Sequence, residues 1–310
     1  MNKSIVVSIL SAAITSSGGI MFATLGEIFS QRSGVINLGL EGLMLMGGVC
    51  AYIVVVKTGF LIYGIIAALL VGLLSGLLYA FITVTLRANQ IVCGLAMVIV
   101  GTGLSGFIGK DYAGAKSNIS FKREPIILLS KIPFVGDIFF NQNILIYALY
   151  FFTAIAMFYI YKTRPGLRLR ALGENPSVLD TAGYNVYLAR YVYVMIGSML
   201  VAAGGAYVTL AYTPGWYDQI TAGIGWIAAA LVIFSAWNPL KAFGGAMLFG
   251  GVSVVGLYMQ VLGVEIPSFF ISMLPYLSTV IVLVLSSRTI RRNHSSTPAG
   301  LGIPYDREER

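Results

Sequence analysis

The chain has 310 residues, of which 57% are hydrophobic and 10% charged, with 36 glycines and a mean hydropathy of +0.85. These values exclude an ordinary soluble globular domain and place the chain among polytopic membrane proteins. The formal charge of +8 is carried by the segments between apolar runs. That is how the positive-inside bias distributes charge, so no nucleic-acid partner is expected.

A bilayer crossing takes about 20 mostly apolar residues. Nine stretches meet that length: 5–25, 38–56, 60–86, 91–109, 143–161, 191–213, 220–237, 240–262 and 268–287. Helices are expected because they satisfy their own backbone hydrogen bonds in lipid, and the strict alternation of barrel strands is absent. The expected fold is all-α, with about nine transmembrane helices, some of them broken or re-entrant. Residues 1–287 form the membrane domain and 288–310 a polar tail.

The first run follows a single Lys3 and lacks a small-residue cleavage site leading into a soluble domain, so it is expected to be a retained span. After it comes GEIFSQRSGVINLGLEGLMLMGG at 26–48, which puts a carboxylate, Glu41, at the mouth of an apolar run. A charge near a helix centre costs about 2.5–3.5 kcal/mol on insertion scales, so Glu41 must face protein or a cavity. If the stretch is helical, Asn37 and Glu41, four apart, share one face, and Glu27 and Arg32 lie close enough in sequence to partner the carboxylate.

Three readings stay open for Glu41: a structural ion pair or hydrogen bond holding a broken helix, a place in a substrate pathway, or proton or ion coupling. Gly34, Gly39, Gly42, Gly47 and Gly48 weaken the helix here. A carboxylate could then accept hydrogen bonds from freed backbone N–H groups. Cys50 and Cys93 fall inside apolar runs and are expected as buried free thiols.

In the third and fourth runs, glycines suggest helix contact rather than chemistry. Gly72 and Gly76 form a GxxxG pair. Gly101, Gly103 and Gly106 satisfy a dinucleotide fingerprint but have no preceding strand. Ser105 sits in a Gly-Leu-Ser-Gly string, yet the single histidine, His294, lies in the polar tail, so a serine nucleophile would have no base. Gly109-Lys110 lacks the first glycine and the hydroxyl residue of a phosphate loop. One His and two separated Cys build no metal site. No catalysis, metal or cofactor is expected.

The loop at 110–142 contains an apolar segment broken by Pro133 and Gly136, expected to lie at the membrane surface. In the loop at 162–190, Asn175-Pro176 reads as an N-cap followed by a first-turn proline, and Gly183 can supply a left-handed C-cap. A helix of about two turns is expected between them, as a docking element. When the nine spans alternate, 13 of the 20 Lys and Arg fall on the side holding the loops near 32, 87, 162–190 and 241 and the tail. That side is expected to be cytoplasmic, with an external N-terminus. Glycine-rich segments at 18–48 and 214–225 could enter and leave the same face.

Three segments now combine: 26–48, RALGENPSVLDTAGYNV at 170–186, and AGIGWIAAALVIFSAWNPLKAFGGAMLFGG at 222–251. Together they resemble the signature regions of bacterial permeases of ATP-binding cassette importers, in the branched-chain amino acid and simple-sugar superfamily, nucleoside branch. The resemblance implies a non-catalytic subunit of the inner membrane that alternates its access. Its partners would be a second homologous permease, a cytoplasmic ATPase and an extracytoplasmic substrate-binding lipoprotein.

The resemblance further implies that Arg170, Gly173, Glu174, Asn175, Pro176 and Gly183 belong to a coupling loop whose short helix sits in a groove of the ATPase. Glu27, Arg32, Gly34, Gly39 and Gly42 carry the first signature. Nucleosides are the expected cargo and simple sugars such as ribose or galactose the alternative; an ion-coupled secondary transporter is the rival from another class. Asn37, Glu41, Tyr212, Thr213, Trp216, Tyr217 and Trp226 are candidate lining residues, since aromatic faces stack on bases and sugars; an interfacial belt would use the same aromatics. The chain departs from the family at Gln31, often Glu, and at Val178-Leu179 and Gly183-Tyr184, often smaller or different residues.

Overall fold

The computed structural model describes residues 3–114, 119–126, 129–130, 132–261, 267, 270–271, 273–281, 284 and 297–308. Within them, α1 (Lys3–Arg32), α2 (Leu40–Thr58), α3 (Leu61–Ala80) and α4 (Gln90–Gly109) come first. They are followed by β1 (Arg123–Pro125), the one-turn α5 (Val135–Phe139), β2 (Asn141–Asn143), α6 (Ile144–Lys162), α7 (Arg164–Glu174) and α8 (Pro176–Thr181). Three more helices complete the series: α9 (Val186–Tyr207), α10 (Ile224–Phe234) and α11 (Pro239–Val261). Helices α3 and α9 each run into a π-helical turn, Phe81–Thr85 and Val208–Tyr212.

Seven helices among the described residues are long and apolar enough to cross a membrane. The predicted span at 220–237 is not one of them: it is the 11-residue α10, because Gln219, Ala222 and Gly223 all take positive φ and turn the chain before it becomes helical. Conversely α1 runs past the predicted 5–25 to Arg32, carrying polar residues that find protein partners. The last predicted span, 268–287, lies partly outside the described residues; residues 273–281 of it are helical.

Helix starts are set locally by side-chain oxygens that accept the orphan N–H groups of a first turn. Asn89 caps α4, Asn143 caps α6, Thr163 caps α7 and Asn185 caps α9. Asn238 accepts from the N–H groups of Leu240 and Lys241 at the start of α11. Helices α2 and α10 have no cap of this kind.

Helices α1 and α9 form the centre, with α2, α10 and α11 against them. The core joins Ile14, Met21, Leu25 and Ile28 of α1 to Met44 and Tyr52 of α2, and to Val201 and Tyr207 of α9. Glycines bring the backbones close, which is how helices associate where lipid removes the hydrophobic drive between them. A Cβ at Gly42 would lie 2.4 Å from the carbonyl oxygen of Met97, and one at Gly101 would lie 2.6 Å from the Gly42 backbone. Gly101 therefore serves the contact between α2 and α4, whereas Gly103 faces open space. Gly72 and Gly76 do the same for α3 against α9.

The outer helices α3 and α4 present bare apolar side chains such as Leu74, Ile99 and Phe107, the last 69% exposed. In a membrane that surface meets lipid or another apolar chain, not water. Residues of the predicted surface loop pair β1 with β2, Arg123 facing Asn143, and α5 lies between them.

Adding methyl groups at a backbone contact forces the helices apart, at a typical 1–3 kcal/mol. Gly42→Val should therefore lower the thermal unfolding midpoint of the purified chain in detergent by several degrees, and Gly103→Ala should leave it unchanged; fluorescence-monitored melting reads both.

Candidate functional site

Two non-helical stretches lie inside the bundle, and each must find partners for its backbone groups, because buried N–H and C=O groups left unpaired are costly. The first, residues 33–39, joins α1 to α2. Its N–H groups use short local bonds at first: Gly34 to Gln31 O at 3.0 Å and Val35 to Ser30 O at 3.3 Å. The next two turn to side chains of other segments. The Ile36 N–H donates to Gln90 Oε1 at 2.8 Å and the Asn37 N–H to Glu27 Oε1 at 2.9 Å.

Asn37 closes an Asx turn on the N–H of Gly39 at 2.8 Å. It therefore lies outside α2, and the helical face predicted to join Asn37 with Glu41 does not form. The carbonyl of Ile36 accepts from the Tyr79 hydroxyl at 2.6 Å.

Glu27 is 1% exposed. It also accepts from Gln31 Nε2 at 2.8 Å, and Gln31 Oε1 in turn accepts from Trp237 Nε1 at 2.7 Å. Gln31 thus uses both ends of its amide, something a carboxylate at this position could not do while ionised. Arg32 Nη2 donates to the Tyr161 hydroxyl at 3.2 Å and to the Trp237 carbonyl at 3.4 Å.

The second stretch, 213–223, returns into the bundle ahead of α10. Here Glu41, 8% exposed in the first turn of α2, takes the hydroxyl of Thr221, the N–H of Gly223 at 2.9 Å and the N–H of Gly225 at 2.7 Å. The carboxylate is the cap that α10 lacks, and it stands at the start of both helices, where the helix dipole favours a negative charge. A Cβ at Gly225 would lie 2.5 Å from the Glu41 nitrogen, so glycine is what lets the two helix starts touch. Of the two neighbours considered as partners of Glu41, Glu27 and Arg32 make the separate contacts given above.

The aromatics of this region divide. Trp216 is buried, and its indole nitrogen would lie 2.1 Å from a Cβ at Gly109. Tyr217 and Trp226 are exposed, at 48% and 39%. Trp226 adjoins Gly225 at the start of α10, on the surface beside the Glu41 tie.

At the end of the bundle where α1 finishes lies α8. Asn175 Oδ1 accepts the Ser177 N–H at 3.1 Å, Pro176 is the first residue, and Gly183 has φ +84°. The expected capping thus forms, because each residue type has the conformation its position requires. Leu179 is buried with Leu172 and Val186, while Val178 is 58% exposed. Gly173 packs against the end of α1: a Cβ there would lie 2.4 Å from the Arg32 carbonyl oxygen. The Arg170 guanidinium lies 5.5 Å from the Tyr161 ring and Glu174 Oε2 accepts the Ala299 N–H at 3.2 Å.

The partners of Glu41 at Thr221, Gly223 and Gly225 were not identifiable from sequence, and neither was the bond between Gln31 and Trp237. These contacts join residues 180 to 206 positions apart. The available signal was the glycine density around 223–225.

Residues 9–285 match the family described as branched-chain amino acid transport system / permease component. The nucleoside ABC transporter permease protein NupC of Lactococcus lactis is 37% identical over 86% of this chain and 88% of its own length. The guanosine ABC transporter permease protein NupQ of Bacillus subtilis is 32% identical over 97% of each chain. A protein of Haloferax volcanii provisionally named as a glucose ABC transporter permease is 32% identical over 98% of this chain and 99% of its own. No solved structure matches the chain.

Removing an acceptor that serves three donors leaves them unpaired, at about 1–3 kcal/mol for each buried group. Glu41→Ala is expected to lower the melting midpoint in detergent more than Thr221→Ala does, with Glu41→Gln between them, since an amide keeps one acceptor oxygen. Equal midpoints for the three variants would show that the carboxylate does not hold α10.

Proposed function

This chain belongs to the family of branched-chain amino acid transport system permease components, and from that premise we propose that it is the membrane subunit of an ATP-driven importer that carries nucleosides. The observation that carries the choice of cargo is the likeness, over most of the chain, to two proteins named for nucleoside and guanosine transport. The Haloferax relative supports simple sugars as the second reading. Chains of this family are permease subunits, so the hydrolysis of ATP falls to a partner ATPase.

In this reading the subunit lies in the bacterial inner membrane, pairs with a second homologous permease, and receives cargo from an external binding protein. The end holding α8 faces the cytoplasm, in keeping with the basic residues of the loops at 32, 87 and 162–190. Arg170, Gly173, Glu174, Asn175, Pro176 and Gly183 present the short helix to the ATPase, with exposed Val178 at the contact. Closure of the ATPase displaces α8, and Gly173 against the end of α1 passes the movement into the bundle as a rigid-body shift.

The path runs between the two permease chains. Tyr217 and Trp226 face it and stack on the base or sugar ring. Asn37, Glu41 and Trp216 shape it from behind, Glu41 by fixing the start of α10 on which Trp226 stands. Glu27, Arg32, Gly34, Gly39 and Gly42 hold the adjoining break. A discontinuous helix beside a path supports this arrangement, since broken helices are tolerated where they line a cavity or are buried in protein.

Uptake of labelled guanosine into cells carrying this chain, a partner permease, the ATPase and the binding protein should require all four and ATP. Uptake by this chain alone, abolished by an uncoupler and indifferent to ATP, would reject the importer. Loss of an interface hot-spot residue costs about 2 kcal/mol or more, and an unpaired carboxylate buried in its place costs further. Val178→Asp should therefore reduce co-purification of the ATPase by about tenfold or more.

A further inference from the structure

Residues 297–308 lie across the face that holds α8, and besides α8 they contact four separate parts of the chain. The Gly300 N–H donates to the Gly173 carbonyl at the end of α7, at 2.8 Å, and the Gly302 N–H donates to the Gly34 carbonyl in the break after α1, at 3.0 Å. Arg190 Nη1 of α9 donates to the Ile303 carbonyl at 3.3 Å. Asp306 pairs with Arg87, in the turn ahead of α4. This is a tie between elements, since no two of these four contacts share one.

The course is specified by residue type. Gly302 has φ +78°, the left-handed region that glycine enters freely, and a Cβ on it would lie 3.1 Å from Ile36. A Cβ on Gly300 would lie 3.0 Å from the Gly173 carbonyl oxygen. Tyr305 is 6% exposed and sits with Leu172, Leu179 and Val186. Its hydroxyl donates to Asp180 Oδ2 on α8 at 3.0 Å, and Arg307 Nε lies 3.2 Å from the same oxygen. The Glu308 N–H, the larger influence, and the Arg87 guanidinium hold the Asp306 carboxyl below the usual range, so it stays ionised for its pairing.

We propose that residues 297–308 are a coupling strap: Tyr305 and Asp306 are positioning residues that carry displacement of α8 to the break at Gly34 and to the turn before α4. The proposal rests on the reading of α8 as the element that meets the ATPase. Its physical basis is that α8 meets the bundle through α7, which packs on the end of α1, and through the start of α9, whereas the strap joins Asp180 of α8 to the turn at Arg87 directly. The strap reaches that turn from Asp180 in a few residues, and on the way it grips the Gly34 carbonyl, three residues before the Asn37 N–H bonded to Glu27. Without it, α8 would reach the turn before α4 only indirectly, by way of α9.

The test uses the full importer in proteoliposomes, with ATP hydrolysis and uptake of labelled guanosine measured in the same vesicles. Tyr305→Phe combined with Asp306→Asn releases two anchor points, and Gly302→Val forces the chain out of its left-handed turn. With either, the ATPase is expected to co-purify and hydrolyse ATP within about twofold of the parent rate, while guanosine moved per ATP falls about fivefold or more, the lower range of measured coupling between sites. Tyr305→Phe alone keeps the ring in its pocket and is expected to give a smaller fall in the same ratio. Ile303→Ser, whose side chain is exposed, should change nothing.

An unchanged ratio in both strap variants overturns the proposal. So does a fall in uptake that only parallels loss of ATPase binding, because the segment would then be part of the dock and not a link. Failure of the α8 reading shows itself differently: Val178→Asp would then leave ATPase co-purification intact.

Discussion

The structure depends on one carboxylate serving three donors. Glu41 sits where two helices start and where neither has a cap of its own, and it receives a hydroxyl and two N–H groups from the segment leading into α10. In lipid those groups would have no water to turn to. The charge that looks misplaced in an apolar run is therefore what permits a half-length helix inside the bundle. Substituting an apolar residue would lower the expense of insertion and leave the fold without its joint.

A second polar cluster lies one level nearer the end of α1, and it follows the same logic with different groups. Glu27 holds the Asn37 N–H, Gln31 bridges Glu27 to Trp237, Arg32 reaches the Trp237 carbonyl and the Tyr161 hydroxyl, and Tyr79 with Gln90 secures Ile36. These bonds bring the ends of α1, α6 and α10 and the starts of α2 and α4 into one network. The bonds of this network cross-link those segments, although Arg32 Nε and Gln90 Nε2 are buried without a partner among the described residues.

Around these joints the packing is made of glycine contacts, and that choice has a functional side. Gly42 against Met97, Gly205 against Met44 and Gly72 against Ser198 let backbones touch without interlocking large side chains. Surfaces so smooth are suited to small sliding or rocking motions. The outer faces of α3 and α4 are bare and apolar, suited to lipid or another apolar chain. The tie made by residues 297–308 then links the two regimes, a cross-linked polar end and a smooth apolar body.

The sequence by itself determined what composition and local chemistry control. Runs of apolar residues set most of the long helices to within a few positions, since a membrane helix must satisfy its own backbone over a fixed length. Asn175, Pro176 and Gly183 set the short helix, because capping is a matter of three or four consecutive residues. The third dimension decided the rest. Whether 220–237 was a full crossing or a half helix depended on Glu41, far away in the chain, and the end of α1 was hidden because Glu27, Gln31 and Arg32 read as polar until Asn37, Trp237 and Tyr161 arrive to pair with them. A partner's distance in sequence carries no periodicity or spacing, so no local pattern announces it.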